Sequence, residues 1–308
     1  MNKKNMTESE AINTEQCSLS NTHIKSLLVK AIEKIDEVYR ASDASYGLKT
    51  GLTEFDNLTG GLSPSDLIII AGRPSIGKTT LAMNIIEHIA LKLNKTAILF
   101  SLETAPEISA LKFICSLGRV DAHRLRSGSV EDEDWPRITT AVQTLSESPI
   151  YIDNVIEETI DTICAKSRKI ALNTGNIGLI VVDYIQLLCC RGSTPENRTA
   201  ELSSILRYLK ILAKELNVPV IAISQLNQNV EQRTDKRPII SDLKDSESIE
   251  DDADMICFVH RNDYYDENSE DKYIAEIIVA KHRNGPQGKI RTAYLGQYGR
   301  FEDLRFTH

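Results

Sequence analysis

No apolar run in this 308-residue chain approaches the roughly 20 residues that span a bilayer, and the first residues lack the apolar core of a signal peptide. The sequence therefore predicts no membrane partner and a cytoplasmic protein. Internal repeats and low-complexity tracts are also missing, which sets aside solenoid and tail-like classes. The six cysteines, at 17, 115, 164, 189, 190 and 257, show no C-x-x-C spacing; Cys115, Cys164 and Cys257 lie in apolar segments and read as reduced core thiols. There is no excess of positive charge: 36 Lys and Arg stand against 44 Asp and Glu, a formal net charge of −8. That balance argues against coating nucleic acid through bulk charge, while leaving room for a narrow basic channel inside a larger assembly. What remains, with 41% hydrophobic and 26% charged residues, is an ordinary soluble globular composition, enough for one large domain or two small ones.

Against this plain background one stretch stands out. Gly72-Arg73-Pro74-Ser75-Ile76-Gly77-Lys78-Thr79, followed by Thr80, fits G-x-x-x-x-G-K-[ST] at every fixed position. Asp66–Ile70 before it reads as a buried strand, and Leu81–Ile86 after it begins an amphipathic helix. Glycine lets the backbone approach phosphates closely, and the helix N-terminus adds oriented N–H groups and a favourable dipole. In this reading residues 72–80 cradle the phosphates of ATP, Lys78 reaches the β- and γ-phosphates, and the Thr79 hydroxyl holds Mg²⁺.

The rest of the chain supplies a setting for that loop. Residues 1–22 are polar and without periodicity, and are expected to form a disordered tail. From Ile24 to about Arg40 apolar residues recur at helical spacing (Ile24, Leu28, Ile32, Ile35, Tyr39), so residues 23–47 read as a helix followed by a linker. Such a stripe must be buried somewhere, on its own domain or on a neighbouring subunit. Beyond it strands and helices alternate. Strands are expected at 67–71, 97–101, 150–152, 179–183, 218–224, 255–260, 274–281 and 290–294. Helices are expected at 78–93, 108–117, 132–146, 160–172 and 199–216, with a further short one at 241–243. This pattern predicts an α/β domain over residues 48–308, a mostly parallel sheet covered by helices, with an antiparallel edge hairpin turning at Asn284-Gly285-Pro286.

Three of the predicted strands end in polar residues that suit nucleotide chemistry. Ile180-Val181-Val182-Asp183 ends in a carboxylate placed to hold Mg²⁺, directly or through water. Leu99-Phe100-Ser101-Leu102-Glu103 ends in one that would polarise the attacking water. Gln225 closes the third strand, and its amide can both donate to phosphate and accept from water. Each also has a bland reading, as a turn cap or a solvated residue. Lys281 and Arg283, two residues apart, would point the same way from an edge strand, as an arginine finger for an adjacent subunit or as a solvated basic face.

With these residues in place the sequence resembles the DnaB-type replicative DNA helicases. The resemblance rests on Gly72–Thr80, Ser101-Leu102-Glu103, the segments 182–187, 224–227, 241–246 and 249–254, and Lys281–Pro286, in that order, and covers about residues 24–308. It implies a RecA-like P-loop NTPase domain, preceded by a linker helix that docks on the next subunit. It further implies a homo-hexameric ring translocating 5′ to 3′ on single-stranded or forked DNA, with primase and a helicase loader as partners. It assigns Lys78 and Thr79 to phosphates and Mg²⁺, Glu103 to water activation, Asp183 to Mg²⁺, Gln225 to nucleotide sensing, and Lys281 and Arg283 to a neighbour's ATP. DNA contact falls to Lys244, Asp245, Ser246 and Glu247.

Departures from the family pattern accompany the match. The family carries an N-terminal helical domain before the linker helix, and here only the polar residues 1–22 precede that helix. The family's DNA loop commonly reads S-D-L-R-E-S-G, whereas this chain has Lys244 for Arg, Asp245 for Glu and Glu247 for Gly. Lys keeps the charge but loses the bidentate fork, and Glu247 adds a carboxylate beside phosphates. Ser65 replaces a common Gly before the first strand, with a small expected effect. Two other readings share much of this pattern: a RecA/RadA-like recombination ATPase, and a ring-forming accessory protein that binds DNA without unwinding it.

Overall fold

A computed structural model describes residues 24–40, 47–153, 159–190, 198–243 and 246–304. The predicted tail, most of the linker, Lys244 and Asp245, and the side chains of Ser246 and Glu247 lie outside the described residues. The chain divides into two units, residues 1–44 and 45–308. In the first, helix α1 (Ile24–Arg40) shows Ile24, Leu28, Ile32, Ile35 and Tyr39 exposed along its apolar stripe.

The second unit is built on a nine-stranded sheet of order β3-β2-β4-β5-β1-β6-β7-β8-β9. Its strands are β1 (Leu67–Gly72), β2 (Thr96–Ser101), β3 (Ile150–Asp153), β4 (Ile177–Asp183), β5 (Val220–Gln225), β6 (Met255–His260), β7 (Ile274–His282), β8 (Gly288–Leu295) and β9 (Arg300–Asp303). The first six pair in parallel and the last three antiparallel. Central strands such as Leu67-Ile68-Ile69-Ile70 are apolar at every position because both faces of the sheet are covered.

The two-residue period sorts these side chains between two cores. Leu67 and Ile69 pack with Ile163 of α7 (Ile160–Thr174) and with Leu202, Ile205 and Leu209 of α8 (Arg198–Leu216). Ile68 and Ile70 pack with Ile86 and Ile89 of α3 (Lys78–Leu91) and with Phe55 of α2 (Thr53–Thr59). Against α3 packs α4 (Pro106–Gly118), and against α4 pack α5 (Ala122–Ser127) and α6 (Asp134–Ser146); α9 (Ser246–Asp252) leads into β6. Cys115, Cys164 and Cys257 are buried and reduced, as core thiols should be. Burial pushes Cys164 up to about 11 and Cys257 up to about 12, so neither offers a thiolate near neutral pH.

The expected hairpin at Asn284-Gly285-Pro286 joins β7 to β8, but it is not the edge: β9 pairs with β8 outside it. At 241–243 there is a 3₁₀ turn, Ile240–Asp242, and no α-helix. Ser65 adopts φ 67°, the left-handed region that favours glycine, so the side chain there carries a backbone cost of about 1–2 kcal/mol. Its hydroxyl donates to Asn217 Oδ1 at 3.0 Å, a contact glycine would lack.

Candidate functional site

Register brings the predicted site together at the carboxyl ends of the parallel strands. Gly72 of β1 pairs with Gln225 of β5, and Ser101 of β2 pairs with Asp183 of β4. Val182 of β4 pairs with Ala222 of β5, so the Gly72–Gln225 pair stands slightly further along the sheet than the Ser101–Asp183 pair. The loops that follow all leave the same rim and open into one cleft, as expected for ligand sites in such sheets. The cleft is lined by Ser75, Lys78 and Thr79 from the phosphate loop, with Glu103, Asp183 and Gln225 from the neighbouring strands.

The loop itself depends on glycine at two places. A Cβ on Gly72 would lie 2.7 Å from Ile76 Cγ2 and 3.0 Å from the Val259 carbonyl oxygen. Gly77, at φ 117°, has Phe301 Cζ 3.0 Å and Tyr294 Cε2 3.2 Å from where a Cβ would stand. Any side chain there would force the loop off the aromatic pair behind it and strain the backbone. From Gly77 the chain enters α3, which aims its N-terminal N–H groups into the cleft.

Two charged groups dominate the cleft floor. Lys78 is buried and donates from Nζ to the Arg73 carbonyl at 2.9 Å. Burial lowers its pKa to about 8, an effect only partly offset by Asp183 and Glu103 nearby. Thr79 Oγ1 donates to Asp183 Oδ2 at 2.7 Å. Asp183 is buried as well, and loss of solvent raises its pKa above the usual carboxylate range. A hydroxyl and a carboxylate at this separation, both hard oxygen donors on one wall of an open cleft, fit a small divalent cation that keeps several of its waters. Glu103 stands exposed at the mouth, where a water-polarising carboxylate has room for both water and phosphate.

Arg73, predicted only as part of the loop, pairs with Glu231 and donates to the Leu226 carbonyl at 3.3 Å, tying the phosphate loop to the segment after Gln225. Sequence reasoning missed Lys112, Thr104, Tyr184 and Tyr294 in the cleft lining. Lys112 sits on α4 and Tyr294 on β8, so no local motif marks them; only the fold brings them in.

Lys281 and Arg283 are not part of this cleft. His282 at the end of β7 pairs with Met255, and Met255 is level with Ile68 at the start of β1. The two cations therefore lie at the opposite rim of the sheet from Lys78. There Lys281 Nζ donates to the Glu250 carbonyl and Arg283 Nη2 to that of Asp251. Of the DNA-contact candidates, the backbone of Ser246 and Glu247 forms the first turn of α9.

The fold and this cleft define a P-loop NTPase of the RecA-like kind. The family model for the DnaB-like helicase C-terminal domain matches residues 47–303, and the chain belongs to that family. It is 45% identical over 282 residues to the replicative DNA helicase DnaB of Geobacillus stearothermophilus, covering 92% of this chain and 62% of that protein. It is 42% identical over 303 residues to the replicative DNA helicase DnaC of Bacillus subtilis, covering 97% and 66%. This chain thus spans less than two thirds of the length of each of these relatives. Among solved structures, an ATPase domain superposes with a TM-score of 0.86 at 36% identity, covering 92% of this chain and all of that one. A DnaB-like replicative helicase solved to show its interactions with primase superposes at 0.83 and 36%, covering 92% and 68%. Nucleotide binding follows from the family and the cleft together. Among the described residues no helix is long and apolar enough to cross a membrane.

Proposed function

We propose that this protein is an ATP-driven DNA helicase motor that assembles as a homo-hexameric ring and translocates 5′ to 3′ on single-stranded DNA. The observation that carries the reading is the Thr79–Asp183 contact beside Lys78 and Glu103, in a domain 45% identical to a replicative helicase. Lys78 exchanges its bond to the Arg73 carbonyl for β- and γ-phosphate oxygens, and the α3 N-terminus holds the phosphates in line. Thr79 and Asp183 hold Mg²⁺, which when bound neutralises charge on the phosphate oxygens. Glu103 orients and polarises the attacking water. Gln225, level with Gly72, senses the γ-phosphate and passes its presence to the segment from Leu226 onward, which Arg73 already grips. Lys281 and Arg283, at the far rim, serve the cleft of the next subunit. Lys244, Asp245, Ser246 and Glu247 contact the translocating strand, and α1 docks on a neighbouring copy. Primase contact, described for a structural relative, and a loader are expected of the assembled ring.

Strand displacement on a forked duplex, run with ATP turnover, tests the reading. Single strands should stimulate hydrolysis, and ATP should drive separation of a duplex bearing a 5′ tail. DNA-stimulated turnover with strand exchange and no unwinding would favour the recombination ATPase. Binding without stimulated turnover would favour the accessory protein.

A further inference from the structure

At the amino-terminal rim of the parallel strands a buried ion network surrounds the second residue after α9. Asp254 is 5% exposed; its Oδ2 accepts from the Leu67 N–H at 2.8 Å and from Lys210 Nζ at 2.5 Å. Its other carboxylate oxygen, Oδ1, faces Arg283 Nη1 at 3.7 Å, and its carbonyl accepts from the Arg283 N–H at 2.8 Å. Lys210 is held independently by the Ser65 carbonyl at 2.7 Å. One carboxylate is thus fixed by a backbone N–H of the central strand and turned towards the guanidinium of a residue whose side chain is otherwise half in solvent. The guanidinium's second contact is the Asp251 carbonyl, among the last carbonyls of α9, and Lys281 takes the Glu250 carbonyl beside it. Exposed arginines ordinarily sample many rotamers, so a charge fixed in the sheet on one side and helix-end carbonyls on the other restrict this one.

We infer that Asp254 is a positioning residue for Arg283: it sets the direction in which that cation leaves the subunit, and the carbonyl end of α9 completes the hold. The inference rests on the proposal that Arg283 serves a neighbour's cleft. It adds a second consequence, because α9 begins at Ser246, in the segment proposed to touch DNA. Movement of α9 on strand binding would shift the Asp251 and Glu250 carbonyls and with them Arg283 and Lys281. Asp254 would keep its own place, anchored to β1.

The test is Asp254→Asn in the full-length ring. The amide oxygen can keep the Leu67 N–H, while the NH₂ group turns to Arg283 and the charge is lost. DNA-stimulated kcat should fall about 10–100-fold, the scale of a misplaced catalytic group, at unchanged KM for ATP. Mixed with Lys78→Ala chains, Asp254→Asn chains should regain turnover, since their own clefts are intact; mixed with Arg283→Ala chains they should not. Within an Arg283→Ala chain the added Asp254→Asn change should cost nothing further. Should Asp254→Asn fail to fold, Asp254→Glu, which keeps the charge one methylene further out, is held to the same pattern of rescue. Wild-type turnover in the variant overturns the inference, as does a loss that Lys78→Ala chains cannot rescue, the mark of a merely structural ion pair. If Arg283→Ala itself leaves turnover unchanged, it is the assignment of Arg283 to a neighbour's cleft that fails.

Discussion

At the carboxyl rim of the parallel strands, charged groups face a cleft and keep capacity in hand. Lys78 has a backbone carbonyl as its hydrogen-bond partner, Glu103 is exposed, and the Asp183 carboxylate accepts from a hydroxyl. At the amino rim, Asp254, Lys210 and Arg283 are tied to one another and to backbone groups. The contrast separates groups awaiting a ligand from groups that brace the fold or aim a side chain outward. It also bears on assembly. The two rims are roughly 20 Å apart along six-residue strands, so Arg283 cannot reach the phosphates held by its own Lys78. A site that uses both residues needs two chains.

Four substitutions probe that contrast, in descending order of effect. Lys78→Ala at the ligand rim should abolish ATP hydrolysis, by about 10³-fold or more on the scale of lost preorganised charge (about 10²–10³ for one donor), while leaving the thermal unfolding midpoint near wild type. Near-normal turnover in the folded variant would remove the phosphate loop from the account. Glu103→Gln should keep nucleotide affinity and lose roughly 10²–10⁴-fold in kcat, the range of general acid–base contributions; a loss under about threefold would hand the role to another residue.

At the bracing rim the expected effect is on stability, and it depends on pH. Asp66 is buried with Oδ2 lacking a hydrogen-bond partner among the described residues, and burial, with Asp254 nearby, raises its pKa to about 6. A raised carboxylate pKa means the folded protein holds this proton more tightly than the unfolded chain. Stability is therefore lost as pH rises from about 3.8 through about 6, and the full cost is present above that window. The shift, in which the opposing pull of Lys210 is already contained, corresponds to about 3 kcal/mol, and screening by water reduces the recoverable part to about 1–2 kcal/mol. Asp66→Asn should stabilise the protein by that amount at about pH 8 and by nothing below about pH 4, read from denaturant melts at both values. A gain independent of pH would show that the ionised form carries no cost.

The smallest effect belongs to Glu247→Gly, which should tighten single-strand binding by a few-fold, since an exposed charge contributes about 0.2–1 kcal/mol. The gain should shrink at high salt as screening shortens the reach of the charge. Equal affinity and an equal salt slope would place this side chain away from the strand.

Much of this was legible in the chain because the signals are local. The phosphate loop is a contiguous motif, and the runs 97–100, 179–182 and 220–223 read correctly as strands because burial on both faces makes them apolar at every position. What escaped is short or assembled at long range. The helices α2 and α5 have seven and six residues, too few to display a helical period, and β9 is four residues with a single apolar one, Arg300-Phe301-Glu302-Asp303. Lys112 and Tyr294 enter the cleft from elements with no motif of their own. The Asp254 network joins β1, α8 and the end of β7 to the start of β6 across 44 and 187 residues of sequence, and no pattern in a single segment announces it.

The central claim, that one working site is built from the two rims of adjacent copies, is tested most directly by mixing two inactive chains. Lys78→Ala lacks the phosphate lysine but keeps Arg283; Arg283→Ala has the converse defect. Each alone should be nearly inactive, and mixed rings should regain DNA-stimulated ATP turnover at the interfaces that join an intact Lys78 to an intact Arg283. No recovery at any mixing ratio, with mixed rings shown to form, would contradict it.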